Sequence, residues 1–464
     1  MPTTHTNIRN RERIMIMRSL LVLLIVVALA SMNLDLRKVD AKSPEPQPQS
    51  SAVLQTSNAP MMIGTSRPVN NGLGKQSDPH IDGALVSYTD DDLMGTTTVR
   101  YLDLTTNSTH AVPGNGADSE SEVSAGRITF TELTAAGSQV VLFDTATQTR
   151  IVMPGYGFSK PTIGGVYLFF EDRSSTEYLH PVDIGGYLIP NDFYYHQTYD
   201  LSPDTNPAIS PAGNLMLWQQ CQTEGVNCTF HGFVLTDPGL PFPDLTIPFC
   251  PKPSQYDMNN DYVFAYTSDK DGDTDIYLQK IVGVDPETRL AIPGEQRNVS
   301  ISGNLVSFES PVQLGNVLEY DIFVYDINSG KLFQVTKTPE DEGRSDISIS
   351  NGFARIIYET PSASTNNDVI AFTFRPPAAV ADQITDNSAL VDSFQLPAGT
   401  ANSLTAKLRD ALAAIAASDT PTACTALSSF INACQAQSGK KLTVDQATQL
   451  INSASLIRFN LGCQ

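Results

Sequence analysis

The densest run of side chains able to do chemistry is Ser268-Asp-Lys-Asp-Gly-Asp-Thr-Asp275, in which Asp269, Asp271, Asp273 and Asp275 alternate around a glycine. Carboxylate oxygens at alternate positions of a tight turn can wrap a hard cation, and Ca²⁺ is the one cofactor the sequence raises. The run lacks the later Glu of a complete helix–loop–helix Ca²⁺ loop, so a solvated hairpin is the competing reading. Asp90-Asp91-Asp92 is a weaker version of the same signal.

Histidine chemistry has few carriers. Beyond the first residues there are His80, His110, His180, His196 and His231, none at helical spacing from another and none beside a Cys-x-x-Cys pair. Zinc would need them to converge in the fold. No Gly-x-Ser-x-Gly elbow is present, and no segment remains to build a separate hydrolase domain. Cys221 and Cys228 flank Gln-Thr-Glu-Gly-Val-Asn, a loop tip that a disulfide would staple. The cluster Phe193-Tyr194-Tyr195-His196-Gln-Thr-Tyr199 reads as an irregular insertion. Tyr194, Tyr195 and Tyr199 are its candidates for partner contact, because loops carry recognition. Trp218 lies in an alternating strand, where core packing is the better reading.

These residues hang on a repeat. Alternating apolar runs recur after small turn residues at Gly83, Gly126, Gly165, Gly213, Asn260, Gly303 and Gly352. Examples are Ala84–Tyr88, Asn214–Trp218 and Asn304–Phe308. A period of ~40–50 residues with several strands per unit is the pattern of a β-propeller. Seven units favour seven blades. The sixth unit is the clearest, with strands at Asn304–Phe308, Tyr320–Asp326 and Lys331–Thr336 and an Asn328-Ser-Gly330 turn.

Ser210-Pro-Ala-Gly213, the acidic hairpin and Lys331–Thr336 together resemble the repeats of TolB-like, WD-repeat-like propellers. That resemblance covers roughly residues 80–376. It implies a propeller in which six blades are the common number, so six stays open beside seven.

The flanks differ in composition. Arg9, Arg11, Arg13 and Arg18 precede an apolar run from Leu20 to Ala30 that ends in Ala28-Leu29-Ala30. Residues 1–32 therefore read as a signal peptide or N-terminal anchor, and no other membrane span is expected. Residues 33–78, rich in Pro, Ser and Gln, read as a disordered linker with a ring-closing strand near Pro60–Ile63. The propeller is placed at 79–376 and a second linker at 377–393, beginning at Pro376-Pro377.

From 394 to 464 apolar residues recur at three- and four-residue spacing: Leu404, Leu408, Leu412 and Ile415, then Leu427, Phe430, Ile431 and Cys434, then Ala447, Leu450, Ile451, Ala454 and Ile457. That pattern predicts three amphipathic helices. Thr420-Pro421 reads as an N-cap followed by Pro, and Thr443-Val-Asp-Gln446 as a capping box. In an antiparallel bundle the start of the second helix lies beside the end of the third, which pairs Cys424 with Cys463. Cys434, on an apolar face, reads as a buried thiol, and the pairing of Cys250 is undetermined. Leu396–Leu408, Phe430-Ile-Asn432, Ala436–Thr443 and the final Leu-Gly-Cys463 resemble the bacterial helical module called FIMAH. The resemblance implies an accessory role in exported bacterial proteins and transfers no catalytic residue.

The formal charge of −21 disfavours nucleic acid and anionic membrane surfaces as partners. Six cysteines agree with an oxidising compartment: periplasm, cell surface or outside the cell. The sequence therefore points to an exported, non-enzymatic propeller that binds a protein or glycan partner, with an accessory helical tail. An exported lyase or hydrolase with its site at the channel mouth is the alternative, and several His, Asp and Arg side chains gathered at one channel end would be its mark.

Overall fold

A computed structural model describes residues 59–464 except 71, 73, 175–181, 199–201, 236–243, 248–254, 282–285, 315–316 and 362–366. The expected leader, His180, Tyr199 and Cys250 lie outside the described residues.

Seven four-stranded antiparallel sheets form a seven-blade propeller. Blade 1 runs from the channel outward as Lys75–Asp82, Leu85–Asp91, Thr97–Asp103 and Ser108–Ala111. Blades 2 to 6 repeat this order, with innermost strands Asp118–Ser124, Phe158–Gly164, Asp204–Ile209, Tyr256–Met258 and Arg297–Ser302. Blade 7 has Gly343–Ser350, Phe353–Thr360 and Asp368–Phe374, and takes its outermost strand, Gly64–Pro68, from the N-terminal side. Gly64 pairs with Phe374 and Pro68 with Ile370, which joins the two ends of the ring.

The second strand of each blade is sandwiched between neighbouring blades, so it is apolar on both faces. Tyr167–Asp172 is buried at all six positions, and Leu215–Trp218 is buried throughout. Such strands read as continuous apolar runs, which is why they carried the repeat. Between blades 1 and 2, Val99, Val112, Ile128, Phe130 and Phe143 pack as one cluster. Blades 3 and 4 approach closely at their turns. A Cβ on Gly213, at φ +73°, would lie 2.6 Å from the Gly164 carbonyl oxygen, so the Ser-Pro-Ala-Gly turn needs its glycine.

Two boundaries differ from the sequence reading. The ring-closing strand is Gly64–Pro68 rather than Pro60–Ile63, and the expected linker gives way to sheet from there, with the inner strand of blade 1 starting at Lys75. Residues 377–393 are not a linker: Val380–Ser393 forms helix α1, so four helices follow the propeller, not three. Its Ile384, Asn387 and Val391 share the buried face. Pro376 and Pro377 lie just before the helix, and the Pro376 carbonyl accepts from the Ala379 N–H at 2.9 Å and from the Gln383 side chain at 2.8 Å.

Helices α2 (Ala398–Ala416), α3 (Thr420–Gln437) and α4 (Val444–Leu461) complete the bundle around Leu404, Leu408, Leu427, Phe430 and Leu450. Asp419, not Thr420, caps α3 by accepting from the Thr422 N–H, and the Thr443–Gln446 capping box is formed. Disulfides join Cys424 to Cys463 and Cys221 to Cys228, and Cys434 is a buried free thiol. No helix among the described residues is long and apolar enough to cross a membrane.

The bundle is packed on blades 6 and 7. Leu456 of α4 joins Met62, Phe333, Phe372 and Phe374 in one cluster. Lys331 Nζ donates to the carbonyls of Phe459 (2.6 Å) and Asn460 (2.9 Å) at the end of α4, where the helix dipole favours a cation. Arg375 pairs with Asp386 of α1 at 2.8 Å.

Candidate functional site

The innermost strands do not run straight. Six carry a register break, and in each a non-glycine residue takes positive φ: Asp78, Glu120, Lys160, Asn206, Asn298 and Arg344, all between 48° and 55°. Left-handed backbone at a residue with a Cβ costs roughly 1 kcal/mol, so something must hold it. For five of the six an acceptor on the preceding blade does, a carboxylate for four and the Gln255 side-chain carbonyl for Asn298. The Asp78 N–H donates to Glu359 at 2.7 Å, the Asn206 N–H to Glu171 at 3.0 Å, and the Arg344 N–H to Glu309. The Lys160 N–H donates to Glu120 at 2.9 Å, a carboxylate itself held by Thr131. Bulges of this kind re-aim side chains, and here they build two polar rings inside the channel.

The outer ring is the bulged residues themselves. The inner ring lies two residues on, at His80, Glu122, Thr162, Ala208, Ser300 and Asp346, and is completed by Asp257 of the unbulged blade 5 strand. Together they line a cavity of about 510 Å³ open at one end of the channel. His80, Glu122, Asp257 and Asp346 also line a smaller space of about 120 Å³ on the other side, so they form a waist.

Hydrogen bonds tie the waist together. Ser300 Oγ lies 2.9 Å from Asp257 Oδ2 and 2.7 Å from Asp346 Oδ1. Asp257 accepts from the Ile301 N–H, and Asp346 from the Ile81 N–H, each at 2.8 Å. His80 stands 3.8 Å from both Asp78 and Asp346. Burial would lower the His80 imidazolium, but the hydrogen bond and charge of Asp78, with the charges of Asp346 and Glu122, outweigh it and raise its pKa to about 10. Burial pushes Glu122 up to about 7, with the Asp257 and Asp346 charges adding and His80 opposing. Burial and the Asp346 charge raise Asp257 to about 6. Two carboxyls that exchange protons near neutral pH thus share the waist with an imidazolium.

The residues singled out from sequence lie elsewhere. Asp269, Asp271 and Asp273 are exposed on the blade 5 hairpin, while Asp275 is buried against Arg289 at 2.5 Å. Asp271 accepts from the Tyr277 hydroxyl at 2.7 Å. Among the described residues, no three His, Cys, Asp or Glu side chains gather to hold a metal ion. Tyr194 and Tyr195 are not in an irregular insertion: Phe193–His196 is the regular outermost strand of blade 3, paired with Asp183–Leu188. Tyr194 donates to Asp172 at 2.7 Å, and Tyr195 packs edge-on to Phe169. Trp218 is buried, its indole N–H donating to Asp204 at 2.9 Å. Of the described histidines only His80 reaches the channel; His110 stacks on Tyr101, and His231 lies beside Trp218.

Glu122, Asp257 and Asp346 were missed because the repeat was read from its turn glycine onward, leaving the preceding strand unread. A signal was there. The waist residue precedes the second strand by five residues in blades 1, 2, 3 and 6, at His80, Glu122, Thr162 and Ser300.

No protein-family model and no curated protein matches the chain. Among solved structures, the propeller domain of the Trilobed protease from Pyrococcus furiosus is similar, at 11% identity over 65% of this chain and 96% of that one, with a TM-score of 0.48. Pyrococcus horikoshii acylaminoacyl peptidase gives 11% identity over 65% of this chain, with a TM-score of 0.47; the match spans about half of that enzyme, 52%. TolB from Acinetobacter baumannii gives 14% identity over 65% of this chain and 78% of that one, with a TM-score of 0.35. At these values the likenesses say nothing of function, which has to be argued from the chain's own residues.

Proposed function

We propose that this is an exported, non-enzymatic propeller protein that binds a protein or glycan partner at the wide mouth of its channel, with the helical module as an accessory fixed to its flank. One observation carries the reading: among the described residues, five exposed apolar side chains, the most exposed of all included, stand on the face into which the larger cavity opens. Lys75 pairs with Asp91 and Asp118 with Glu132, so the hairpins bearing Leu93, Met94 and Leu133 rise at the wide end. Leu318 tops the long blade 6 hairpin at the same end, and Tyr156 lies between blades 2 and 3 there. Met94 is 91% exposed, and Leu93, Leu133 and Leu318 are each more than half exposed. Apolar groups around a polar concavity are the usual anatomy of a recognition face.

The test is retention of partners from an envelope extract, and of glycans on an array, by the protein and by Met94→Asp with Leu133→Asp. The reading predicts ligands whose retention falls at least roughly tenfold in the double variant. Retention indifferent to the rim would overturn it.

The alternative, a lyase or hydrolase, is favoured by the proximity of His80, Glu122 and Asp257, whose carboxyls titrate where a general acid or base works. Turnover of a polysaccharide or peptide library that Glu122→Gln abolishes would establish it.

A further inference from the structure

The cavity is unevenly charged. Its walls carry the carboxylates of Asp78, Glu120, Glu122, Asp257 and Asp346. Two cations at its rim are already paired with carboxylates outside it: Lys160 Nζ with Glu171 at 3.0 Å, and Arg344 with Glu359 at 3.4 Å. Only His80 is left to face the waist carboxylates.

Two further features point to a donor-rich occupant. Ser300 has one hydroxyl proton and two carboxylate oxygens within 2.9 Å, so it can donate to only one of them, and the other keeps a single backbone donor, the Ile301 N–H at Asp257 or the Ile347 N–H at Asp346. Thr162, 2% exposed, lines the cavity with a hydroxyl whose proton can go to Glu122, favouring that group's charged form, and whose oxygen accepts from no donor among the described residues. Buried polar atoms normally find partners. A metal ion does not fit the spacing, since no three of these groups gather around one point among the described residues. A cation that spreads several N–H donors over a wider radius does.

We infer that the channel waist binds an alkylammonium or guanidinium group on a flexible aliphatic stem, which enters from the wide mouth and donates to Asp257, Asp346, Glu122 and the Thr162 hydroxyl. This rests on the proposed binding function and names the chemistry its channel recognises. The volume of about 510 Å³ suits such a group with its stem. The stem has two sources, a free polyamine or a basic side chain of a polypeptide partner.

Calorimetric titration of the full chain at about 150 mM NaCl, where long-range attraction is screened, tests it with spermidine, N-acetyl-lysine methylamide and the uncharged N-acetyl-norleucine methylamide. At least one cation binds and the uncharged analogue does not. Asp257→Asn with Asp346→Asn weakens the cation roughly tenfold or more, while Asp392→Asn with Asp410→Asn, the same charge change on the exposed helical module, leaves it unaltered. Glu122→Gln, whose side chain holds no backbone N–H, serves where the double variant misfolds, and it too weakens binding. Spermidine alone binding identifies the free polyamine; the lysine derivative binding as well identifies a polypeptide side chain. Failure of both cations to bind, or equal weakening by the helical-module variant, overturns the inference. Rim-dependent partner retention that survives such a failure leaves the binding reading standing without it.

Discussion

At the channel waist, burial acts against charge. Glu122 keeps its proton in the folded state up to about pH 7, whereas an unfolded Glu releases it near pH 4.5. The folded state therefore holds more protons between those values, and this group's contribution to stability falls as pH rises through them. Glu122→Gln should flatten that fall and leave the protein about 1–2 kcal/mol more stable than the parent at pH 8, with little difference at pH 4; urea unfolding at both pH values checks it. His80 behaves in the other sense. Its raised pKa means a contribution fully present below about pH 6.5 and lost as pH rises through about 10, so His80→Gln should lose most stability at pH 6 and least at pH 10. Away from the waist, Glu171 is fully buried and accepts from Lys160, Arg173 and the Asn206 N–H. Removing a buried, multiply bonded carboxylate leaves its donors stranded, so Glu171→Ala should cost about 3–5 kcal/mol in denaturant titration. The part of this residue was legible: in blades 3, 6 and 7 the aromatic run ends Phe170-Glu171, Phe308-Glu309 and Tyr358-Glu359. A glutamate directly after a buried aromatic, repeated by blade, was the trace of the inter-blade bonds. The waist left only a partial trace: the five-residue spacing before the second strand marks His80 and Glu122 but not Asp257 or Asp346, and only ring closure brings the four together.

The elements were legible in proportion to how fully they are buried. Second strands such as Tyr167–Asp172 are apolar on both faces and announced the repeat. Inner strands such as Asp118–Ser124 carry polar residues toward the channel and a bulge, which breaks the period of two. Helix α1 was missed because Pro376-Pro377 looked like a linker and its buried face includes Gln383 and Asn387. The tail helices were placed well because capping residues mark their ends. The Cys424–Cys463 bridge closes a loop of 39 residues. Loop-closure entropy puts its contribution at about 3–4 kcal/mol, so Cys463→Ser should lower the urea midpoint of the helical module, read by helix circular dichroism. Docking is a separate matter. Leu456→Asp would place a charge among Phe333, Phe372 and Phe374, and should expose the α1 region to limited proteolysis while the propeller stays intact.

On the scale of the molecule, the ring is closed by a strand from one side of the chain and flanked by helices from the other. Gly64–Pro68 completes blade 7, Met62 reaches blade 6 through its N–H to the Gln334 carbonyl at 2.7 Å, and Leu456 packs against the same cluster. The described segments on either side of the propeller thus meet at the seam where the ring is joined. A ring so fixed presents two unlike faces, and the account assigns recognition to only one. The direct measurement is site-specific photo-crosslinking in cells expressing the protein, from Met94 on the wide-mouth face and from Asn351 in an exposed turn at the opposite end. The account predicts a discrete adduct from Met94 that Leu133→Asp abolishes, and none from Asn351. Adducts from Asn351 with none from Met94, or a Met94 adduct indifferent to Leu133→Asp, would contradict it.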